Sequence, residues 1–556
     1  MKLRSTPIIL FGLISIIFLL TFFYYPFFSV LRDAILMEKG FNGENILKSI
    51  IDPLNLDTWR FTFLEAILST ILTLIIGLPA GYIFGKYSFP RKRFFLSFLT
   101  VPFVLPGVFV ALGVISVLGP NGLISSILNM AIPESVAFGW TGVLYAHAFY
   151  NIPLMIHWVS FSIKQSDPEI EEVARSLGSK GWHKFKRITL PVILPGIIVA
   201  SLLTFIFCFL SYPVIAVLGS VSMRTIEVNI ASTYKTFPLT GKSMAASLAL
   251  VQFLIMIVFV YFYMRSLKSV TEKRKVGKSG TLKKLPELSI TKTSIKIFIT
   301  FYFVFLFLFD ALIFIGILNK SLRDTYTNVF TLNNFISVFS FIPNRFLGVE
   351  PFRAVFNSLF FAFSSVYITS ILAIGALMLR EKLNKRMLII LDIFIFLPVA
   401  ASSITLALGM VRGFNSLDIF YSDVWFFRII THSIIGFPFI MRAFSNARDR
   451  IDPDLVDTSR SLGARTLETL LRVELPLMLP TIIVGMIFTF SLSIGEFTAT
   501  NFLWEPQATT MPIAIYRFIS MRQWGPASAM SVILVLVCFV SFLVIYQLSE
   551  EETGIF

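Results

Sequence analysis

Few residues of this chain are suited to chemistry, and Glu496 is the clearest of them. Its carboxylate lies in the apolar stretch SLSIGEFTAT (491–500), directly after Gly495. Ionisable groups are rare in apolar segments of this length, and they mark either a functional contact or a pairing with a neighbour. We predict that Glu496 and Gly495 face the path of a polar solute. The alternative is that Glu496 lies near the outer end of its helix and snorkels or pairs there.

The other reactive side chains form no metal or catalytic pattern. The chain has four histidines, none with the spacing H-x-x-H or H-E-x-x-H, and Cys208 and Cys538 both lie in apolar runs. We therefore predict packed thiols, no metal site and no bound cofactor. The sequence has no G-x-x-x-x-G-K-[ST] motif, so we predict that the chain is not an enzyme and does not hydrolyse ATP itself.

Composition indicates a membrane protein. The mean hydropathy is +0.81, and 14% of the 556 residues are charged, against about 25% in soluble domains. We expect an all-α polytopic membrane protein, because twelve apolar segments have spanning length: 8–31, 60–85, 94–118, 139–163, 191–218, 244–264, 297–318, 355–379, 388–410, 426–445, 477–503 and 527–547.

Basic residues predict the orientation of these segments. The loops 86–93 and 380–386 each hold four Lys or Arg, and the stretch 265–296 holds ten, with two Glu. Even numbers of apolar segments separate all three from the N-terminus, so the positive-inside rule places them and both termini in the cytoplasm. The net charge of +15 thus reflects membrane topology rather than nucleic-acid binding.

The two halves of the chain are repeats of one unit. A shift of 285 residues aligns six features without a gap: His147 with His432, Pro153 with Pro438, Asp167-Pro168 with Asp452-Pro453, Leu177-Gly178 with Leu462-Gly463, Pro191 with Pro476 and Pro195 with Pro480. We predict two pseudosymmetric six-helix domains, 1–264 and 297–556, joined by a basic linker, 265–296. Such parallel repeats are related by an axis along the membrane normal. The matched positions of His147 and His432 favour a role in the fold over metal ligation.

A polar segment recurs in both halves, and we call its copies the first repeat segment (164–190) and the second repeat segment (449–475). In the first, Asp167-Pro168 gives helix-start chemistry, Gly178 ends or bends the helix, and an amphipathic helix with Trp182 follows. For a single copy, the alternative interpretation is a solvated cytoplasmic loop that lies on the lipid headgroups. Two copies at matching positions favour docking on a partner that is itself a dimer.

Here the chain resembles the permeases of ABC importers, whose signature is E-A-A, a Gly three residues later, nine further residues and I-x-L-P. The resemblance implies that both repeat segments couple to an ATPase through ten residues: Glu172, Ala174, Gly178, Leu190, Pro191, Asp457, Ser459, Gly463, Leu475 and Pro476. The second copy departs from the signature at its small residues, Thr458 and Ser459, and keeps the acid, the Gly and the Leu-Pro.

A longer resemblance is to fused permeases of the thiamine and ferric-iron importers. It is carried by LPGVFVALGVISVLGPNG (105–122), AHAFYNIPL (146–154), SIGEFTATNFL (493–503) and ATTMPIAIY (508–516). It implies the fold of a type I ABC importer in a plasma or inner membrane. It also implies import of thiamine, its phosphates or ferric iron by alternating access. The implied partners are two ATP-binding cassette subunits, which hold the ATP and Mg, and an extracytoplasmic solute-binding protein.

Other functions stay open. The same machinery serves other solutes, such as molybdate, sulfate or polyamines. A twelve-helix secondary transporter would also show two halves, although it needs no helix–Gly–helix repeats. A membrane-embedded enzyme would need paired aspartates or an H-x-x-x-H cluster, and neither occurs in the apolar segments.

Overall fold

The computed structural model describes residues 6–37, 40–41, 43–164, 173–174, 176–179, 181–220, 222–236, 241–276, 293–325, 327–380, 382–415 and 424–548. These residues are almost entirely helical, as expected for an all-α protein. The strands among them are a two-residue antiparallel pair, Leu36–Met37 with Gly40–Phe41. Glu172, much of the first repeat segment before it and most of the predicted linker lie outside the described residues.

The first half of the sequence forms fourteen described α-helices. They are α1 (Thr6–Leu19), α2 (Tyr25–Ile35), α3 (Gly43–Ile51), α4 (Pro53–Lys86), α5 (Lys92–Thr100), α6 (Gly107–Leu118), α7 (Leu123–Leu128), α8 (Glu134–Ala137), α9 (Trp140–Lys164), α10 (Gly181–Lys184), α11 (Leu190–Phe209), α12 (Pro213–Leu218), α13 (Ile226–Thr236) and α14 (Gly241–Val276).

The second half forms twelve more. They are α15 (Thr293–Ser321), α16 (Asn333–Val338), α17 (Pro351–Arg380), α18 (Lys385–Phe396), α19 (Ser403–Asn415), α20 (Val424–Arg448), α21 (Pro453–Ser461), α22 (Thr466–Thr469), α23 (Leu475–Gly495), α24 (Thr498–Phe502), α25 (Met511–Ser520) and α26 (Trp524–Leu548).

All twelve apolar segments of the sequence fall on helices. Ten described helices are long and apolar enough to cross a membrane, and the segments Lys385–Ala400 and Ser403–Asn415 together give an eleventh, bent by 98°. The remaining apolar segment of the sequence, 139–163, coincides with α9, which is not among these membrane-length helices. The sharp bend lies at a 3-10 turn, Leu397–Ala400, because Pro398 has no N–H to continue the helix. A matching 3-10 turn, Val101–Val104, precedes α6.

The described chain packs into two compact units that do not follow its linear order. One, the N-core unit, consists of Glu44–Thr236 and Val251–Lys320. The other, the C-core unit, consists of Met1–Gly43, Phe237–Leu250 and Ser321–Phe556. The first helices of each half therefore belong to the unit that holds the core of the opposite half. The linker predicted at 265–296 separates the two halves along the sequence. The packing instead places helices from both halves in each compact unit.

In the N-core unit, a stripe of glycines lets two long helices approach closely. A Cβ built on Gly77, Gly81 or Gly85 of α4 would lie 2.7–2.8 Å from the Cβ of Met155, Val159 or Ile163 of α9. Glycines four residues apart on one helix face are the usual means of close packing between helices in lipid. Against this pair lies α15, whose Tyr302 hydroxyl donates to the carbonyl of Ile76.

In the C-core unit, α1 and α2 are held by polar bonds to α17, α18 and α19. Ser15 Oγ donates to the carbonyl of Leu372 at 2.7 Å, and the Tyr24 hydroxyl donates to that of Phe394 at 2.9 Å. An ion pair joins Asp33 to Arg412 at 2.5 Å. Interhelical bonds of this kind contribute on the order of 1 kcal/mol each in membranes, so they specify where the N-terminal helices dock.

Candidate functional site

The described part of the first repeat segment ends in a glycine turn. The amide of Ser179 donates to the carbonyl of Ala174 at 2.9 Å, and Gly178 between them has φ +82°. This is the closing hydrogen bond of a Schellman-type helix end. Ala174 is buried, whereas Leu177 is 82% exposed. The chain then enters α10, where Trp182 is exposed and its ring stacks on that of Phe185, 5.3 Å away.

The second repeat segment repeats this geometry. Asp452 caps α21 by accepting from the amide of Asp454 at 3.0 Å, and the helix contains the exposed Asp457. At its end the amide of Ala464 donates to the carbonyl of Ser459 at 3.2 Å, and Gly463 has φ +91°. Leu462 is 83% exposed, almost the same value as its counterpart Leu177.

Both segments therefore present one leucine at the apex of a turn that only a glycine builds without strain. Within the described part of the chain, a Cβ on Gly178 or Gly463 would meet nothing within 4 Å, so backbone conformation rather than space requires glycine there. An exposed leucine is unremarkable alone. Its repetition at matching positions, each fixed by a positive-φ glycine, shows that the chain presents one local geometry twice.

Each repeat segment continues into a membrane-length helix through a π turn. The turns are Phe185–Thr189 and Leu470–Glu474, and they lead into α11 and α23. Pro191 and Pro476 follow at once, and a proline gives no N–H to the carbonyl four residues earlier. The amides of Leu190 and Leu475 bond instead to the carbonyls of Phe185 and Leu470, five residues back. Each of these π turns is thus continuous with a long helix, with no loop between them.

In the second copy, two side-chain contacts fasten the segment. Ser459 Oγ lies 3.1 Å from Thr469 Oγ1, which joins α21 to α22. Arg448, the last residue of α20, forms an ion pair with Glu474 at 2.9 Å. The matching positions of the first copy are Ile163 and Thr189, so that copy does not repeat the ion pair.

The first repeat segment begins beside the basic loop 86–93. Lys92 Nζ donates to the carbonyl of Tyr87 at 2.7 Å. Burial, together with the positive charge of Lys164, lowers the pKa of Lys92 to about 8. Lys164 ends α9, so the loop lies close to the point where the repeat segment starts.

A buried polar cluster crosses the helices of the N-core unit. His147 Nδ1 on α9 contacts a carboxylate oxygen of Glu65 on α4, and His147 Nε2 lies 2.8 Å from Ser211 Oγ, just beyond α11. Ser69 Oγ donates to the same oxygen of Glu65 at 2.7 Å. The histidine therefore links three segments, and Glu65 is 0% exposed.

His432 occupies the equivalent place in the C-core unit with a different set of partners. Its Nδ1 lies 2.6 Å from Ser493 Oγ and its Nε2 lies 2.9 Å from Thr500 Oγ1. Glu496 Oε2 is 3.9 Å from the same Nε2. Shifted by 285 residues, Cys208 matches Ser493, and Ser211 matches Glu496.

Glu496 is buried and acts as the cap of a short helix. Its carboxylate accepts from the amides of Ala499 and Thr500 at 2.8 and 3.0 Å and from the hydroxyl of Thr500 at 2.5 Å. These bonds fix Glu496 where α23 ends and α24 begins, next to the half-buried Gly495. A direct role of Glu496 and Gly495 toward a solute stays a prediction.

Sequence reasoning missed Glu65 and the environment of Cys208. Glu65 carried a usable signal, because it is an acid inside the apolar segment 60–85. No sequence signal indicated the polar environment of Cys208, since a cysteine in an apolar run is ordinarily a packed thiol.

The protein family described as "Binding-protein-dependent transport system inner membrane component" matches residues 77–273 and 365–552. These are two copies of one domain, and each includes one repeat segment. Helices α1, α2 and α15 lie outside both matched regions.

Among individual proteins, the chain is 26% identical over 478 residues to the probable ABC transporter permease protein y4fN of Sinorhizobium fredii, covering 82% of this chain and 80% of that protein. It is 24% identical over 500 residues to the thiamine transport system permease protein ThiP of Haemophilus influenzae, covering 88% of each. It is 23% identical over 547 residues to the ferric transport system permease protein FbpB of Actinobacillus pleuropneumoniae, covering 96% of this chain and 77% of that protein. With both domain copies in one polypeptide, the chain belongs to the family of binding-protein-dependent transport system inner membrane components and is a multi-pass, fused ABC importer permease.

Proposed function

We propose that the two repeat segments are the docking elements for two ATP-binding cassette subunits, one on each segment. The supporting observation is the pair of exposed leucines, Leu177 and Leu462, held by positive-φ glycines in the same local geometry. Two like elements on one chain suit a partner that supplies two like clefts. The partners would hold the ATP and Mg, and the basic loops and both termini of this chain would lie on the same, cytoplasmic side.

In this proposal, ATP-driven closure of the two partners draws the repeat segments together. Each segment moves its long helix, α11 or α23, because the π turns and Leu-Pro steps join them directly. The membrane helices then alternate between inward-open and outward-open states. ATP drives this change because the assembly binds it with a different affinity in each state. An extracytoplasmic binding protein would deliver the solute to the outward-open state.

The proposed cargo is a small cation: thiamine, a thiamine phosphate or ferric iron. It rests on two relatives whose names state thiamine and ferric transport. Glu496 and Gly495 are the proposed contacts on the path, since a carboxylate in a low-dielectric region favours a cation. Molybdate, sulfate or a polyamine would use the same machinery with another binding protein.

The cargo is tested on the solute-binding protein that partners this permease, by calorimetry with thiamine, thiamine phosphates and ferric iron. We expect tight binding of one of the two cation classes. Binding of neither class would remove the cargo proposal and leave the docking proposal untouched.

The competing function, a secondary transporter, predicts uptake without any ATPase. Proteoliposomes that contain this chain alone and carry an ion gradient would then accumulate solute. We expect accumulation only when the ATPase subunits and ATP are present.

A further inference from the structure

Three side chains with metal-binding atoms meet inside the N-core unit. They are Glu65 on α4, His147 on α9 and Cys208 on α11, and one ligand atom from each lies within 4.8 Å of the other two. All three side chains are buried, and they come from three different helices. Sequence spacing does not group them, because more than sixty positions separate each from the next along the chain.

One atom of this group lacks a hydrogen-bond partner among the described residues. Glu65 Oε2 is buried and accepts no hydrogen bond from them, while Oε1 is shared by Ser69 and His147. A buried acceptor left unsatisfied costs about 1–3 kcal/mol, and more when it is charged. A cation beside Glu65 would satisfy that oxygen.

The donor set indicates which cation fits. A carboxylate oxygen, an imidazole nitrogen and a thiolate sulfur are the ligand types of zinc and of its close relative cobalt. At bonds of about 2.0–2.3 Å, tetrahedral ligand atoms lie roughly 3.3–3.8 Å apart. Since no two of the three ligand atoms are more than 4.8 Å apart, the longest separation would have to contract by at most about 1–1.5 Å.

We propose that Glu65, His147 and Cys208 form a binding site for one divalent transition-metal ion of the zinc type in the N-core unit. Binding of the ion displaces the thiol proton of Cys208, and His147 coordinates through a ring nitrogen that carries no proton, so that at least one proton is released per ion. No change of oxidation state is involved. The proposal departs from the sequence-based expectation of a packed thiol, and it does not rest on the transport assignment.

The C-core unit provides an internal control. There the position of Cys208 is taken by Ser493, and the histidine His432 has the ring of Phe361 against it, 5.8 Å away. The nearby carboxylate, Glu496, already accepts three hydrogen bonds. Without a thiolate and with its carboxylate occupied, this cluster should bind no such ion, so the expected stoichiometry is one ion per chain.

The test measures metal in the full-length chain, purified in detergent from cells grown with added zinc and, separately, after exchange into Co²⁺. We expect one zinc per chain by mass spectrometry of the metal. The cobalt form should show a thiolate-to-cobalt charge-transfer band in the near ultraviolet. Cobalt uptake should release at least one proton per ion, the thiol proton of Cys208.

The informative variant is Cys208→Ser, which copies the residue that the C-core unit uses at this position. It should fold, eluting as wild type does, and lose both the charge-transfer band and at least nine-tenths of the bound metal. The matched control is Cys538→Ser, whose buried thiol has no place in the cluster, and it should retain both. A wild-type chain with less than a tenth of an ion, or a Cys208→Ser chain that binds as wild type, would overturn the proposal.

Discussion

Gly463 and Gly178 hold a left-handed backbone conformation that residues with a side chain rarely adopt. Both have positive φ and open space around the missing side chain, so replacement acts through the backbone alone. A left-handed conformation costs an ordinary residue about 1–2 kcal/mol, which is roughly a tenfold change in an equilibrium. Proline, which fixes φ near −65°, is excluded altogether.

We therefore expect Gly463→Pro to abolish ATP hydrolysis coupled to transport while the chain still inserts in the membrane, and Gly463→Ala to weaken it. Gly463→Asn is the matched control, because asparagine tolerates the left-handed region, and it should stay close to wild type. The measurement is solute-stimulated ATP hydrolysis by the reconstituted assembly. Normal stimulation in Gly463→Pro would show that the turn does not transmit the partner's movement.

Glu496 can act as a helix cap, as a contact for the solute, or as both, and two variants separate these roles. Glu496→Ala removes an acceptor of three hydrogen bonds and should lower stability by about 1–2 kcal/mol, the usual cost of losing a cap. Glu496→Gln keeps a capping oxygen and loses the charge. If the charge contacts a cationic solute, Glu496→Gln raises KM for uptake while the melting temperature changes little. An unchanged KM would leave Glu496 with the capping role alone.

At the scale of elements, the two halves differ in how the repeat segment is fastened. Only the second copy has the ion pair Arg448–Glu474, in which the Glu474 side chain is 2% exposed and that of Arg448 is 20% exposed. Removing one member leaves a buried charge without its counter-ion, which is more costly than removing both.

A double-mutant cycle tests this asymmetry. Arg448→Ile alone should lower stability by on the order of 1–3 kcal/mol. The pair Arg448→Ile with Glu474→Thr, which copies Ile163 and Thr189 of the first half, should recover most of the loss. Thermal melting of the detergent-purified protein gives both values. A double variant as unstable as the single one would contradict an ion pair at this place.

At the scale of the whole molecule, each compact unit contains helices from both halves of the sequence. We expect residues 1–276 and residues 277–556, expressed as two polypeptides, to restore uptake when produced together. Each alone should be unstable, because it lacks the helix that completes its own core, α15 or α1 with α2. Uptake or a stable monodisperse fragment from one half alone would contradict the exchanged packing.

The parts that could be predicted from the sequence are those with local causes. Asp452-Pro453, Gly463 and Leu475-Pro476 specify a helix start, a turn and a helix entry within a few residues, and the structure has all three. The exchange of first helices could not be predicted, because apolar side chains such as those of α15 pack on any apolar partner in lipid. The Glu65–His147 contact also depends on packing between helices, so it could not be predicted from the sequence either.

The central claim is that this chain docks two ATPase subunits, one on each repeat segment. It is tested most directly by cross-linking the membrane-embedded assembly through cysteines at Leu177 and Leu462, in a background with Cys208 and Cys538 replaced by Ser. Each single variant should cross-link to one ATPase subunit and the double variant to two. A cysteine at the exposed Leu128, predicted to lie on the opposite side of the membrane, should give no product. If Leu177→Cys and Leu462→Cys cross-link no better than Leu128→Cys, the repeat segments are not the docking elements.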